Sequence, residues 1–191
     1  MKVITVNSEK DKSVQTFEKV NNRTKNKVLI HKVSDNIKIF STSAAGILSK
    51  GESLVNEIHA TSANIVTVQE THCTRKGRIK MHPSFVIFEA IRKAKHGGTM
   101  CAVHEDYSPK LIEEYNDPFE LLVVEIETKV NSVRLITGFG PQENWDEGKR
   151  VSFFIALESE IVKAEIAGTS IILEMDANAK LGQQYIPNDT H

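Results

Sequence analysis

Short apolar runs separated by polar turns dominate the chain from Ile37 onward. Each run has the length of a strand, and several are rich in β-branched or aromatic residues, which favours β-structure. The near-continuous apolarity of Ile65–Val68 and Ile171–Leu173 predicts strands that are covered on both faces. The predicted strands are Ile37–Phe40, Ile65–Val68, Phe85–Phe88, Thr99–Val103, Leu121–Ile126, Val133–Phe139 and Ser170–Met175.

Two segments have helical periodicity instead. The first begins with the capping-box spacing of Ser49 and Glu52, and an apolar stripe of Leu54, Val55 and Ile58 follows. The second is predicted from about Glu147 to Ala167, with Asp146 as its N-cap and Gly168 as its stop. Its predicted buried face consists of Val151, Phe154, Ile155, Ile161 and Val162. Strands mixed with these helices predict an α/β layered protein.

Composition adds limits to this picture. The chain has 191 residues, 40% of them apolar and 26% charged, which is enough for one domain with a core. Residues 1–36 are polar and weakly periodic, so we expect a flexible N-terminal arm before a domain at 37–191. Two cysteines, with no signal peptide and no apolar stretch of membrane length, predict a protein without membrane contact inside the cell, in the nucleus or cytoplasm.

Charge is unevenly distributed although the net charge is only −1. Residues 71–96 carry seven Lys or Arg against the single acid Glu89. A basic island in an otherwise acidic chain can hold a polyanion, and a solvated loop is the alternative. The predicted nucleic-acid-binding residues are Arg75, Lys76, Arg78 and Lys80.

Two predicted strands end in groups that can do chemistry. Glu70 follows an apolar strand and precedes the basic island, so it can hold a hard cation such as Mg²⁺, or it can simply be a polar strand end. Asp176 and Asn178 follow another strand. One can orient or deprotonate water while the other donates to a phosphate oxygen, and an Asx turn is the alternative.

Five separated segments together resemble the endonuclease/exonuclease/phosphatase superfamily, and most of all the endonuclease domain of non-LTR (LINE-type) retrotransposons. The likeness extends over about residues 37–182, in the order and rough spacing of the family. The specific motifs are Gln69-Glu70-Thr71 and Asp176-Ala177-Asn178, each of which closes an apolar strand. The weaker ones are the run from Lys38 to Gly46, His96-Gly97-Gly98 and Gly138-Phe139-Gly140-Pro141.

The resemblance implies a partial four-layer α/β sandwich, the DNase-like fold, with mixed β-sheet and flanking helices. It implies that Glu70 binds a catalytic Mg²⁺ (or Mn²⁺), and that Asp176 and Asn178 position the water and the scissile phosphate. The loop from Thr71 to Lys80 would contact DNA.

Three departures from the family imply a weak or inactive enzyme. Ser43 stands where the family has Asn, and Phe139 stands where it has a Tyr hydroxyl. The later half of the family's domain, which supplies the final Asp-His pair, is not matched, so we expect a truncated domain that self-associates through exposed sheet edges. Two other interpretations stay open. One is a non-enzymatic, retrotransposon-derived remnant, and the other is an inositol-phosphate phosphatase or sphingomyelinase of the same superfamily.

Overall fold

Two mixed β-sheets pack face to face, and one helix covers the outer face of each. The computed structural model describes residues 2–6, 37–49, 51–92, 97–142 and 144–176. The elements are β1 (Lys2–Val6), β2 (Ile37–Ser43), α1 (Gly51–Thr61), β3 (Ile65–Gln69), β4 (Phe85–Ala90), β5 (Thr99–His104), β6 (Lys110–Tyr115), β7 (Leu121–Glu127), β8 (Ser132–Phe139), α2 (Glu147–Ile166) and β9 (Ser170–Asp176). The predicted four-layer α/β architecture is therefore confirmed.

The first sheet has the order β1-β2-β3-β5-β4 and the second the order β6-β7-β8-β9. Strands β2 and β3 are parallel, as are β8 and β9, and the remaining neighbours are antiparallel. Each parallel pair is joined through a helix, α1 in the first sheet and α2 in the second, which is the connection that parallel strands require. As a result, four strands point their carboxyl ends toward the same rim of the sandwich.

Alternation along the strands produces three apolar layers. Inward-facing residues such as Ile39, Ile65 and Leu135 form the core between the sheets. The opposite face of the first sheet packs against Leu54 and Ile58 of α1. The outer face of the second sheet packs against α2. Cys101 lies fully buried in the core between the sheets.

Helix α2 turns a different face to the sheet from the one that the sequence predicted. The residues it buries are Phe153, Leu157, Glu160 and Ala164. Of the predicted face, Val151, Phe154, Ile155 and Val162 are exposed, whereas Ile161 is partly buried. Glu160 is tolerated in this layer because it accepts hydrogen bonds from the Tyr115 hydroxyl at 3.0 Å and from Lys163 Nζ at 2.5 Å. The cap was predicted correctly, since the Asp146 side chain accepts from the Lys149 amide at 2.8 Å.

Three further sequence expectations need correction. Lys2–Val6, inside the predicted arm, forms β1 and pairs with β2, while residues 7–36 lie outside the described residues. Ser49 lies in a 3-10 turn before α1, where its hydroxyl donates to the Gly46 carbonyl at 3.0 Å. Strand β9 is at an edge of its sheet, and Leu173 is exposed rather than covered on both faces. No helix of the described residues is long and apolar enough to cross a membrane.

Candidate functional site

The carboxyl ends of the parallel strands meet at one rim. Ser43 and Gln69, the last residues of β2 and β3, are register partners in the first sheet. Phe139 and Asp176, the last residues of β8 and β9, are register partners in the second. Gln69 Nε2 donates to Thr137 Oγ1 across the interface at 3.5 Å, and β3 contacts both β8 and β9. The two pairs of strand ends are thus held beside each other.

Glu70 begins the turn after β3 and is fixed by the segment that follows β2. Its φ of +52° lies in the left-handed region, which a non-glycine residue adopts only where its surroundings hold it. The Gly46 amide donates to the Glu70 carbonyl at 2.9 Å. Ser43 Oγ donates to Glu70 Oε2 at 3.0 Å. The carboxylate therefore lies half-buried at the rim, with one oxygen oriented by the hydroxyl of Ser43.

Asp176 ends β9 on the side that faces the first sheet. Its side chain is on the same face of the strand as Ile172, which packs into the core between the sheets, because alternate residues share a face. The Gly140 amide donates to the Asp176 carbonyl at 2.7 Å, so the strand end is tied to the turn after β8. Glu70 and Asp176 are brought to the same rim from different sheets. Asn178 lies outside the described residues.

The two positions that depart from the family differ in their surroundings. Ser43 is exposed and bonded to Glu70, so its hydroxyl orients the carboxylate but presents no amide to a phosphate. Phe139 is fully buried, and its ring offers no hydrogen-bonding group at the rim. Its backbone amide donates to the Glu120 carbonyl at 3.2 Å.

The basic loop after Glu70 is anchored at both ends. The amides of Thr71 and His72 donate to the carbonyls of Gly98 and Gly97 at 3.1 and 2.9 Å, which extends the β3–β5 ladder. Further along, the Gly77 amide donates to Glu89 Oε2 at 2.6 Å. These bonds hold the loop close beside the rim.

The four predicted nucleic-acid-binding cations of this loop are all exposed. Lys76 forms an ion pair with Glu114, with Nζ to Oε2 at 2.6 Å, so part of its charge is offset. Arg78 and Lys80 flank the buried Ile79 and line a cavity of about 780 Å³ against α1. The loop thus presents Arg75, Arg78 and Lys80 to solvent.

One buried acid at the same rim was not identified from the sequence. Glu120 lies immediately before β7, with none of its surface exposed, and faces Arg92 at the end of β4. The sequence contains one sign of this residue, since Glu120 is a carboxylate that directly precedes the apolar run Leu121–Val124. Its partner lies in the other sheet, so no local pattern pointed to it.

Comparison with solved structures gives several matches over most of the chain. Humanized D. rerio TDP2 is 17% identical, with a TM-score of 0.55, and the match covers 75% of this chain and 63% of that one. The 3′ phosphatase NExo from Neisseria, bound to a product DNA hairpin, is 15% identical, with a TM-score of 0.54 and coverage of 74% and 58%. The endonuclease domain of TRAS1, a telomere-specific non-LTR retrotransposon, is 18% identical, with a TM-score of 0.50 and coverage of 75% and 60%.

These structures are members of one superfamily. The chain has the endonuclease/exonuclease/phosphatase fold. It spans less than two thirds of the length of each of the three structures. No family model matches the sequence, and no curated protein matches it either.

The endonuclease/exonuclease/phosphatase fold implies a divalent metal, and the donors at the rim are compatible with one. Mg²⁺ prefers oxygen ligands and is commonly held by one or two carboxylates, with water and substrate phosphate completing its shell. Glu70 supplies a half-buried carboxylate that Ser43 already orients. Within the described ranges, no group of three or more His, Cys, Asp or Glu side chains forms a metal site. Glu70 is thus the described rim residue that could hold such an ion.

Proposed function

We propose that the chain is a Mg²⁺-dependent phosphodiesterase of the retrotransposon endonuclease type, acting on DNA inside the cell, with weak or no activity. The proposal is supported by the arrangement of the strand ends: β3, which Glu70 follows, and β9, which Asp176 ends, lie at one rim beside a basic loop. The resemblance of the Gln69-Glu70-Thr71 and Asp176-Ala177-Asn178 motifs to the family supports the same assignment.

Each residue at the rim has a distinct part in this proposal. Glu70, oriented by Ser43, would hold the Mg²⁺ or Mn²⁺, which when bound polarises the phosphate and stabilises charge on the leaving oxygen. Asp176 would orient and deprotonate the attacking water. Asn178 would donate a hydrogen bond to a phosphate oxygen. Arg75, Arg78 and Lys80 would grip the flanking backbone.

Low activity follows from the groups that the rim lacks. The amide expected at Ser43 and the phenol expected at Phe139 are replaced by groups that cannot make the same phosphate contacts. Loss of one preorganised hydrogen-bond donor to developing negative charge costs about 10²–10³ in rate. The second candidate function, weak DNA binding without catalysis, is favoured by the same two substitutions.

A plasmid-nicking assay tests the proposal. Supercoiled DNA is incubated with the full chain and Mg²⁺ or Mn²⁺, with and without EDTA. We expect slow nicking that EDTA, Glu70→Gln and Asp176→Asn each abolish. The matched control is Glu127→Gln, because Glu127 is an exposed acid at the opposite end of the second sheet. Nicking that survives in both site variants would refute the assignment.

If no nicking is seen, measurements of DNA binding and of phosphate release distinguish the remaining hypotheses. DNA retention that is salt-sensitive and lost on neutralising Arg75, Lys76 and Arg78 would support the non-enzymatic binding function. Phosphate release from an inositol polyphosphate, blocked by Glu70→Gln, would identify the phosphatase branch of the superfamily.

A further inference from the structure

A buried ion pair joins the two sheets at the rim that carries Glu70 and Asp176. Glu120 is fully buried, and its carbonyl accepts from the amide of Phe139, the register partner of Asp176. Arg92 follows β4 in the other sheet, and its Nε lies 3.3 Å from Glu120 Oε1. The Arg92 side chain is 22% exposed, so part of it reaches solvent at the rim.

The backbone packs closely around this pair. The Ile91 amide donates to Asn116 Oδ1 at 2.9 Å, which ties the end of β4 to the turn between β6 and β7. A Cβ atom on Gly97 would lie 2.9 Å from Arg92 Cδ and 3.3 Å from Glu120 Oε1. Only a glycine with its φ of +106° fits there. These neighbours restrict the Arg92 side chain on the side of Gly97.

A second cation, Lys149, lies with Arg92 near the ring of Trp145. Trp145 is buried at the start of α2, and Lys149 Nζ is 3.6 Å from its ring centroid. Arg92 Cζ is 5.8 Å from that centroid. The indole ring attracts both cations, and their positive charges repel each other.

The carboxylates near Arg92 and Lys149 do not fully neutralise the two cations. Burial, followed by the positive charge of Arg92, lowers the pKa of Lys149. Among the carboxylates that face the cluster, Asp146 is engaged as the cap of α2, and Asp117 belongs to the turn before β7. Burial raises the pKa of Glu120 to about 7, so this acid is only partly ionised near neutrality. Neither carboxylate oxygen of Glu120 has a hydrogen-bond partner among the residues that the structure describes.

We propose that Arg92 and Lys149 form a phosphate-binding subsite for a nucleic-acid strand, with Trp145 as their platform and Glu120 as the residue that positions Arg92. The inference rests on the proposed function, since it needs a strand to cross the rim between the sheets. A phosphodiester oxygen bound there offsets the repulsion between the two cations, and the guanidinium can bind it through Nη while Nε faces Glu120. The subsite is distinct from the basic loop after Glu70.

Fluorescence anisotropy with a labelled single-stranded oligonucleotide tests the subsite on the full chain, in EDTA so that no cleavage occurs. We expect Arg92→Gln and Lys149→Gln each to weaken binding roughly tenfold, and the double variant to lower the salt slope by about 1.4. Arg92→Lys should retain part of the affinity. The control is Lys110→Gln, because Lys110 is exposed at the opposite edge of the second sheet. A double variant that binds as wild type, with an unchanged salt slope, overturns the proposal.

Glu120 is tested through the pH profile of the same measurement. As the pH falls from 8 to 6, Glu120 gains a proton and stops competing with the phosphate for Arg92. Binding should therefore tighten several-fold, and Glu120→Gln should remove this dependence while remaining tight at pH 8. Glu120→Gln keeps the shape of the side chain beside Arg92 and removes only its charge, so a profile identical to wild type contradicts the proposed action of Glu120 on Arg92.

The binding and cleavage results are separable, because anisotropy in EDTA does not depend on catalysis. If the chain nicks plasmid but the double variant binds oligonucleotide as wild type does, the subsite is refuted and the proposed function stands. If the chain does not nick DNA, and binding is lost in the double variant but not in Lys110→Gln, the subsite is supported although the chain is not an enzyme. Unchanged thermal transitions in the variants exclude misfolding as the cause of lost binding.

Discussion

Replacing Glu120 with Gln should stabilise the protein in a pH-dependent manner. Burial raises the pKa of Glu120 to about 7 from its ordinary value of 4.5. Between these values the folded chain keeps a proton that the unfolded chain releases, so the free energy of unfolding falls as the pH rises through this window. Fully ionised, the buried carboxylate costs about 3 kcal/mol. Gln has nearly the same shape and keeps an oxygen that can face Arg92, but it never ionises.

Urea denaturation of wild type and Glu120→Gln at pH 5 and pH 8 measures this effect. Other titrating groups are common to both proteins and cancel in the difference between them. The stability advantage of the variant should be larger at pH 8 than at pH 5 by about 2–3 kcal/mol. Glu127→Gln, an exposed acid at the other end of β7, should show no such change. An advantage that is equal at both pH values would refute the assignment of a raised pKa to Glu120.

Three further outcomes follow from burial and backbone geometry. Phe153→Ala should lower the free energy of unfolding by about 3–5 kcal/mol, because Phe153 is fully buried, whereas its neighbour Phe154 is 56% exposed and Phe154→Ala should cost far less in the same urea titration. Gly98→Ala should lower the melting temperature more than Gly77→Ala does, because both have positive φ but only the Cβ at Gly98 meets Thr71 Oγ1, at 2.5 Å; equal losses would contradict this clash. The Cys101 thiol, whose pKa burial raises, should react with a thiol reagent only after denaturant is added.

Most of the fold could be predicted from the sequence because its strands are apolar enough to be recognised individually. Every predicted strand is present. The two that were missed, β1 and β6, lie at sheet edges, where one side of a strand needs no neighbour. Strand β6 has the sequence KLIEEY, and its charged residues reach solvent, so no continuous apolar run marks it.

The orientation of α2 could not be predicted because the helix is apolar on more than one side. Val151 and Ile155 form a stripe as regular as the one formed by Phe153 and Leu157. The choice between them is made by the surface that the helix meets. Phe119 and Trp145 contact the Phe153 ring edge to face, at centroid distances of 5.4 and 6.4 Å. Those partners are distant in sequence or lie in a loop, so helical periodicity carries no information about them.

The candidate site likewise contains residues that could be predicted from the sequence and residues that could not. The places of Glu70 and Asp176 beside the ends of β3 and β9 could be predicted from the sequence because an apolar run precedes each of them. The Glu120–Arg92 pair could not, since its members approach each other only when the two sheets are stacked. The pair is evident only from the burial of the Glu120 side chain and its distance from Arg92 in the folded structure.

The rim has a consequence for how mutations distant from it should act. Glu70 and Asp176 belong to different sheets, so the separation of their carboxylates depends on the thickness of the apolar layer that includes Ile39, Ile65 and Leu135. Opposed sheets pack about 10 Å apart, and side chains that fill the layer set that spacing. We therefore expect a change of one methylene group in this layer to alter the separation of the two carboxylates, even where the chain remains folded.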